Sequence, residues 1–189
     1  MNLEALGIEG AWLLKSQVHS DNRGSFLEWF KTEEILISSN IKFEVKQINI
    51  SQSKLGVIRG IHYSLTKIGQ VKIITCLEGS ILDVIVDLRK NSPTFKKWIS
   101  LELNAISGQS ILISSGLGHG FMALKDLTVV SYALSSEYSP SEEFEINAFD
   151  PSLKINWQPN LTQNITPIIS QKDSNAPSLD QRNSDRQLP

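Results

Sequence analysis

Apolar and polar residues alternate along most of this chain, and turn residues interrupt the alternation at short intervals. A period of two is typical of β-strands with one face buried. Glu78 and Gly79 form a turn that joins two of the alternating stretches as a hairpin. The predicted strands cover residues 43–50, 57–63, 71–77, 80–88, 98–103, 110–114, 121–124 and 129–134. So many short strands at close spacing indicate an all-β antiparallel barrel or a two-sheet sandwich.

Two local elements precede this run of strands. Residues 12–14 and 25–30 are predicted to be short extended pieces around a turn at 21–24, where the sequence reads Asp-Asn-Arg-Gly. A short helix is predicted to begin with a cap at Thr32 and to end before Asn40.

The strand that begins at Phe43 carries polar side chains on a partly apolar face. Val45, Gln47 and Asn49 follow Phe43 at every second position. A face of this kind suits a barrel interior that holds a polar ligand. An ordinary edge strand explains the same pattern equally well.

Arg59 and His62 lie three residues apart in one predicted strand. Strict alternation would place their side chains on opposite faces of the sheet. Gly60, which stands between them, is a residue type that β-bulges favour, and a bulge would turn both side chains to the same face. The sequence alone leaves both arrangements open.

The composition changes after Trp157, where Gln, Asn, Ser and Pro become frequent. Residues 1–179 are predicted to form a single domain, and residues 180–189 are predicted to be a disordered tail. Asp173 lies in the sequence Ser-Gln-Lys-Asp at 170–173, where it is either a helix cap or a residue that reaches back to the main domain.

Charge and cysteine content exclude several classes of function. The chain has 189 residues with a net charge of -2, and its basic residues are scattered. We therefore expect no binding to nucleic acid and none to an anionic membrane surface. Cys76, the only cysteine, lies in an apolar run and is expected to be a buried, inert thiol. The first residues lack the basic and apolar runs of a secretory signal, which predicts a cytoplasmic protein.

The candidate chemistry centres on Arg59, His62 and Lys72, which occur within one predicted strand-loop-strand unit. These residues can bind an anion, remove a proton and stabilise an oxyanion. A structural role for a histidine near an apolar strand remains the alternative. The three histidines have no paired spacing, so no metal site and no cofactor are expected. No serine lies in a nucleophile elbow, which leaves proton transfer at carbon as the favoured chemistry.

Six motifs in order along nearly the whole chain carry a family resemblance. They are DNRGSFLEWF from residue 21, VKQINISQSKLGVIRGIHYS from 45, GQVKIITCLEGSILDVIVDLRKNSPTFKKW from 69, ISSGLGHGFMAL from 113, VVSYALSSEYSPSEEFEI from 129 and SQKDSNAPSL from 170. Together they resemble the dTDP-4-dehydrorhamnose 3,5-epimerase family. The resemblance implies a cupin-type jelly-roll barrel, a homodimer, and action without metal on a dTDP-4-keto-6-deoxyhexose.

The resemblance also implies a role for each matching residue. His62 is expected to be the base that removes protons next to the C4 ketone, and Asp173 is expected to orient it. Lys72 is expected to stabilise the enolate oxygen, and Tyr132 to return a proton on the other face. The residues expected to line the nucleotide-sugar pocket are Arg23, Glu28, Gln47, Asn49, Arg59, His119 and Tyr138. Of these, Arg23 and Arg59 are the expected diphosphate contacts.

The expected reaction inverts C3 and C5 of dTDP-4-keto-6-deoxyglucose through an enolate and gives dTDP-4-keto-L-rhamnose. A sister enzyme that inverts only C3 or only C5 would carry the same motifs. A non-catalytic sugar-binding barrel would not require His62, Lys72 and Tyr132 together. The chain departs from the family pattern at Ser64, where glutamine is common, and at 147–150, and these departures bear on substrate choice.

Overall fold

Two antiparallel β-sheets face each other in the computed structural model, which describes residues 1–158 and 165–189. The first sheet has the strand order β1-β2-β10-β7-β12-β5. Its strands are β1 (Asn2–Ala5), β2 (Ala11–Lys15), β5 (Gln47–Ser53), β7 (Lys72–Glu78), β10 (Gln109–Ile113) and β12 (Thr128–Leu134). The second sheet has the order β13-β6-β11-β8-β9, with β14 parallel to β6. Its strands are β6 (Val57–Ser64), β8 (Ser80–Asp87), β9 (Trp98–Asn104), β11 (Leu117–Ala123), β13 (Glu143–Glu145) and β14 (Ile168–Ile169).

A separate hairpin and three short helices complete the chain. The hairpin pairs β3 (Val18–Asp21) with β4 (Gly24–Leu27) and turns at the predicted position. The helices are α1 (Thr32–Ser39), α2 (Gln171–Ser174) and α3 (Leu179–Ser184). Helix α1 confirms the predicted helix, although its N-cap is Lys31 and not Thr32, and no side chain caps it. No helix in the described part of the chain is long and apolar enough to span a membrane.

The predicted all-β cupin-type jelly roll is confirmed, with one correction to its geometry. Each sheet keeps two open edges, so the described strands form a sandwich of two facing sheets and do not close into a barrel. The edges are β1 and β5 in the first sheet, and β9 and β13 in the second. A cleft can therefore form where the two sheets separate near an edge.

Apolar side chains occupy three layers because the central strands are covered on both faces. In β8, Ile81 and Ile85 point between the sheets, whereas Leu82 and Val84 point to the outer face of the second sheet. All eight residues of β8 are buried, as expected for a strand with no solvated face. Cys76 is buried between the sheets, as the sequence predicts.

Residues 180–189, for which the sequence predicted a disordered tail, include most of helix α3 and pack on the second sheet. Helix α3 begins with Leu179, which is fully buried in the outer layer on the second sheet, and Leu188 is buried in the same layer. The Tyr63 hydroxyl donates a hydrogen bond to the carbonyl oxygen of Gln187 at 2.7 Å. The tail has a polar composition, but two leucines and specific hydrogen bonds are enough to fix it on the sheet.

Candidate active site

A cleft of about 250 Å³ opens between the two sheets near the β5 and β13 edges. Its walls combine residues of opposite charge with aromatic rings. The first sheet contributes Asn49, Lys72, Tyr132 and Leu134, and the second contributes Arg59, His62, His119, Phe121, Glu143, Phe144 and Glu145. Gln70 and Tyr138 complete the wall from connections between strands, and Lys172 does so from helix α2. Small-molecule sites in proteins are commonly concave and carry a few convergent polar groups of this type.

A β-bulge in β6 brings Arg59 and His62 to the same cleft. His62 lies opposite His119 in β11, while Arg59 lies opposite Phe121, so β6 has one extra residue between these two pairs. Gly60 occupies the bulge with a φ of +115°, a backbone conformation that residues other than glycine rarely adopt. A Cβ atom there would stand 2.6 Å from the carbonyl oxygen of His119. The arrangement that the sequence left open is therefore the one in which both side chains face inward.

His62 forms a hydrogen bond with Asp173, and 111 residues separate the two along the chain. The distance from His62 Nε2 to Asp173 Oδ1 is 2.7 Å. Burial on its own would raise the pKa of Asp173, but the hydrogen bond and the charge of His62, together with smaller effects of Ser170 and Lys172, outweigh it, so this pKa lies below its usual value. Asp173 is thus a carboxylate that can orient the imidazole and stabilise its protonated form.

Helix α2 holds Asp173 in place. The Ser170 side chain is the N-cap, and it accepts a hydrogen bond from the backbone N–H of Asp173 at 3.0 Å. The capping role that the local sequence suggested for Asp173 is therefore filled by Ser170. The carboxylate of Asp173 is free to reach back to the second sheet.

Lys72 is a buried cation that lines the cleft. Its Nζ lies 3.5 Å from the carbonyl oxygen of His62. Burial lowers the pKa of Lys72, and the negative charge of Glu143 partly opposes this shift. Glu143 is held in turn by Gln70, whose Nε2 donates to Glu143 Oε1 at 3.0 Å and to Ser136 Oγ at 2.9 Å. An ammonium with a depressed pKa can transfer or share its proton readily with a nearby oxyanion.

Tyr132 lies on the wall opposite His62, because β12 belongs to the first sheet and β6 to the second. Asn49 is directly opposite Tyr132 across the β12–β5 pair, so the two side chains share a face. Gln47 stands behind Asn49: its Nε2 donates to Asn49 Oδ1 at 2.7 Å, and its Oε1 accepts from the backbone N–H of Tyr138 at 2.8 Å. Gln47 thus supports two residues of the wall.

His119 belongs to a second histidine–aspartate pair, with 2.7 Å between His119 Nε2 and Asp83 Oδ2. Asp83 is completely buried, and burial raises its pKa against the opposing effect of His119. The sequence analysis did not assign Asp83 to the site. The available signal was a carboxylate in the otherwise apolar β8 strand, since a buried charge requires a partner.

Arg23 and Glu28 do not reach this cleft within one chain. Arg23 is at the tip of the β3–β4 hairpin, where it pairs with Asp21, and 85% of its side chain is exposed. Glu28 forms a salt bridge with Lys31 at 2.7 Å. Arg59, by contrast, lines the cleft and is steadied by Ser53, which accepts from its Nε at 3.1 Å.

The wall residues Gln70, Glu143, Phe144, Glu145 and Lys172 were not predicted. Three of them form β13, which has only three residues and is too short to show a period. Within residues 1–158 and 165–189, no group of three or more His, Cys, Asp and Glu side chains has an arrangement that could hold a metal ion.

The combined geometry suits proton transfer at a carbon next to a carbonyl. In this arrangement His62 with Asp173 can act as a base, Lys72 can stabilise an oxyanion, and Tyr132 presents a phenol from the facing sheet.

The chain is similar to known proteins over nearly its whole length. Residues 5–181 match the family model described as dTDP-4-dehydrorhamnose 3,5-epimerase. A dTDP-4-dehydrorhamnose 3,5-epimerase of Mycobacterium tuberculosis is 39% identical over 95% of this chain and 88% of its own length. A dTDP-4-dehydro-6-deoxyglucose 3-epimerase of Streptomyces bikiniensis is also 39% identical, over 94% of this chain and 88% of its own. A crystal structure of the Legionella pneumophila dTDP-6-deoxy-D-glucose-3,5-epimerase, in complex with dTDP-4-keto-L-rhamnose, superposes with a TM-score of 0.91 at 31% identity, covering 100% of this chain and 97% of that one.

Proposed function

The chain belongs to the dTDP-4-dehydrorhamnose 3,5-epimerase family, and we propose that it inverts C3 and C5 of dTDP-4-keto-6-deoxyglucose. The product is dTDP-4-keto-L-rhamnose, an intermediate of dTDP-rhamnose biosynthesis. The observation that carries the proposal is the position of His62 and Tyr132 on facing sheets, with Lys72 lining the same cleft.

The reaction begins with proton removal next to the C4 ketone. His62 takes the proton from C3 or C5, the C–H electrons form a carbon–carbon double bond to C4, and the carbonyl electrons move to the oxygen. Asp173 stabilises the imidazolium that results. Lys72 donates a hydrogen bond to the enolate oxygen, and its lowered pKa brings the ammonium closer to the proton affinity of that oxygen.

Inversion then requires a proton on the opposite face of the same carbon. Tyr132 is the proposed donor of this proton, and the support is that β12, which carries Tyr132, belongs to the first sheet whereas β6, which carries His62, belongs to the second. The phenolate of Tyr132 and the imidazolium of His62 exchange protons with solvent before the second carbon reacts. C3 and C5 both adjoin the C4 ketone, so one set of groups can serve both.

The pocket residues Arg23 and Glu28 enter this proposal through a homodimer. The cleft of about 250 Å³ is below the range of about 300–1,000 Å³ that is usual for small-molecule sites, so one chain encloses only part of a nucleotide sugar. The β3–β4 hairpin is exposed along both strands, and Phe26 on it is 64% exposed. The outer face of the β5 edge strand exposes Ile48 and Ile50. We place the hairpin of a second copy across this edge, where its Arg23 would contact the diphosphate with Arg59 of the first.

Mixing two inactive variants tests the dimer. His62→Ala and Arg23→Ala chains, unfolded together and refolded, should form mixed dimers in which one of the two sites is intact. Random pairing makes half of the dimers mixed, so about one quarter of wild-type activity is expected if every site draws on both copies. No recovery above the separate variants would show that Arg23 acts within its own chain or not at all.

Deuterium labelling tests the reaction. The protein is incubated with dTDP-4-keto-6-deoxyglucose in D₂O, and the label and the product stereochemistry are determined by NMR. Label at both C3 and C5 of an L-rhamno product supports the proposal. Label and inversion at C3 alone would assign the chain to the reaction of the 3-epimerase relatives, and an absence of label would refute epimerisation of this substrate.

The proposed location is the cytoplasm, a reducing compartment, which fits the free thiol of Cys76.

A further inference from the structure

Arg182 is a buried arginine that reaches from the C-terminal segment to the wall of the cleft. Only 9% of the residue is exposed. Its Nε donates to the carbonyl oxygen of Glu145 at 3.0 Å, and its Nη2 donates to Glu145 Oε1 at 3.1 Å. One guanidinium therefore holds both the backbone and the carboxylate of a single cleft residue.

Glu145 connects this arginine to the catalytic pair. It lies directly opposite His62 in the β13–β6 pairing, and both side chains face the cleft. The other oxygen of Glu145 is 3.3 Å from the Nζ of Lys172, the residue immediately before Asp173. The contacts thus run from Arg182 through Glu145 to the segment that carries Asp173.

The strand that bears Glu145 needs such support. Strand β13 is an edge strand of three residues whose strand partner is β6. The Arg182 guanidinium also lies 5.2 Å from the centre of the Phe144 ring, and its Nη1 donates to Gln187 Oε1 at 2.6 Å. A planar, forked cation is suited to hold a carboxylate, a carbonyl oxygen and a ring at once, whereas an ammonium is not.

We propose that Arg182 is a positioning residue for the epimerase reaction, acting through Glu145 on the His62–Asp173 pair. This rests on the proposed function, and it assigns a role to the C-terminal segment that the sequence analysis predicted to be disordered. Arg182 does not itself line the cleft. It holds Glu145 and β13 at a set distance from His62, and it neutralises part of the negative charge there.

The titration of His62, followed by NMR, is a measurement that does not require activity. The charged or titratable side chains that share the cleft with His62 or bond to it are Arg59, Lys72, His119, Tyr132, Tyr138, Glu143, Glu145, Lys172 and Asp173. Arg182→Met leaves Glu145 with Lys172 alone, so the imidazolium becomes more favourable. In an NMR titration, the midpoint for His62 should therefore lie at higher pH in the variant than in the wild type. Arg186→Gln is the matched control, since Arg186 is an exposed arginine of the same segment, and it should leave the titration unchanged.

Kinetics separate positioning from stability. Arg182→Met should lower kcat about 10-fold with KM within about 2-fold, and should move the acid limb of kcat/KM to higher pH by the same amount as the His62 titration. Arg182→Lys keeps the charge and should recover part of kcat. In a double-mutant cycle, Arg182→Met should cost little more once Glu145→Gln is present, because the first change acts through the second residue.

Three outcomes would overturn the proposal. One is an Arg182→Met protein with a lower Tm but an unchanged His62 titration and kcat, which would make the arginine a tail anchor only. Another is full additivity with Glu145→Gln. If the Met variant does not fold, an Arg182→Lys protein with wild-type kcat would also overturn it. A wild-type protein that does not epimerise the substrate would refute the proposed function, while the NMR titration would still decide the role of Arg182.

Discussion

Replacing Asp173 by Asn tests the base at the centre of the proposed reaction. The amide still accepts a hydrogen bond from His62, so the 2.7 Å contact can persist without its charge. Opposite unit charges 4 Å apart attract by about 1 kcal/mol in bulk water and by about 4 kcal/mol at an effective dielectric constant of 20. The side chain of His62 is 40% exposed and that of Asp173 only 7% exposed, so the pair lies between these limits.

The expected loss follows from this range. Because about 1.4 kcal/mol corresponds to a factor of ten in rate, losing about 2–3 kcal/mol of imidazolium stabilisation should lower kcat on the order of 100-fold. Binding should change little, since Asp173 bonds to His62 and does not line the cleft itself. Turnover is measured by following product formation with NMR. The binding of dTDP is measured by calorimetry.

Ser170→Ala is the control for the Asn variant. It removes the helix cap, which typically costs about 1 kcal/mol of stability, and keeps the carboxylate. Ser170→Ala should lower the Tm with little effect on kcat. Asp173→Asn should instead lower kcat strongly with a smaller effect on the Tm. An Asn variant with wild-type turnover would refute the catalytic role of Asp173.

The sign of the pH effect on stability gives an independent check on the same pair. Since the folded-state pKa of Asp173 is below its ordinary value, its contribution to stability is present above the unfolded-state pKa of about 3.9. This contribution is lost as the pH falls through the folded-state pKa. The difference in Tm between wild type and Asp173→Asn should therefore be clear at neutral pH and shrink in acid. A difference that is constant down to pH 2 would contradict the ion-pair interpretation.

Three further predictions concern the two faces, the bulge and metals. His62→Ala should abolish deuterium exchange at C3 and C5, whereas Tyr132→Phe should retain some exchange but lose net inversion. If Tyr132→Phe still gives inverted product at a near wild-type rate, the acid is another group, either Tyr138 or a bound water. Gly60→Ala should lower the free energy of unfolding by about 2 kcal/mol or more, because of its positive φ and its contact with the His119 carbonyl oxygen. Gly24→Ala, with a φ of +130° but no atom within 4 Å, should cost less in the same denaturant titration. Activity should persist in EDTA, and loss of turnover that a single metal restores would refute the metal-free mechanism.

Local sequence was sufficient for the longer strands and the first helix, but not for the short strands β1, β13 and β14. Alternation in residues 80–88 and 129–134 predicts strands because a half-buried or fully buried extended chain repeats every two residues. The sequence left open whether Arg59 and His62 lie on the same face of the sheet, and the structure shows that the bulge at Gly60 brings them together. A period reports which face a residue occupies, but a break in the period requires a partner strand to define it.

Contacts between distant segments were decided by the tertiary structure. The local sequence left two roles open for Asp173, a helix cap or a residue that reaches back to the main domain, and only the family resemblance favoured the second. The contact with His62 exists because α2 follows β14, which pairs with the beginning of β6. For the same reason, the sequence analysis did not assign Asp83 to the site and predicted that the polar C-terminal segment is disordered. Whether a buried charge or a polar tail is stabilised depends on a partner supplied by another part of the chain, and local sequence does not identify that partner.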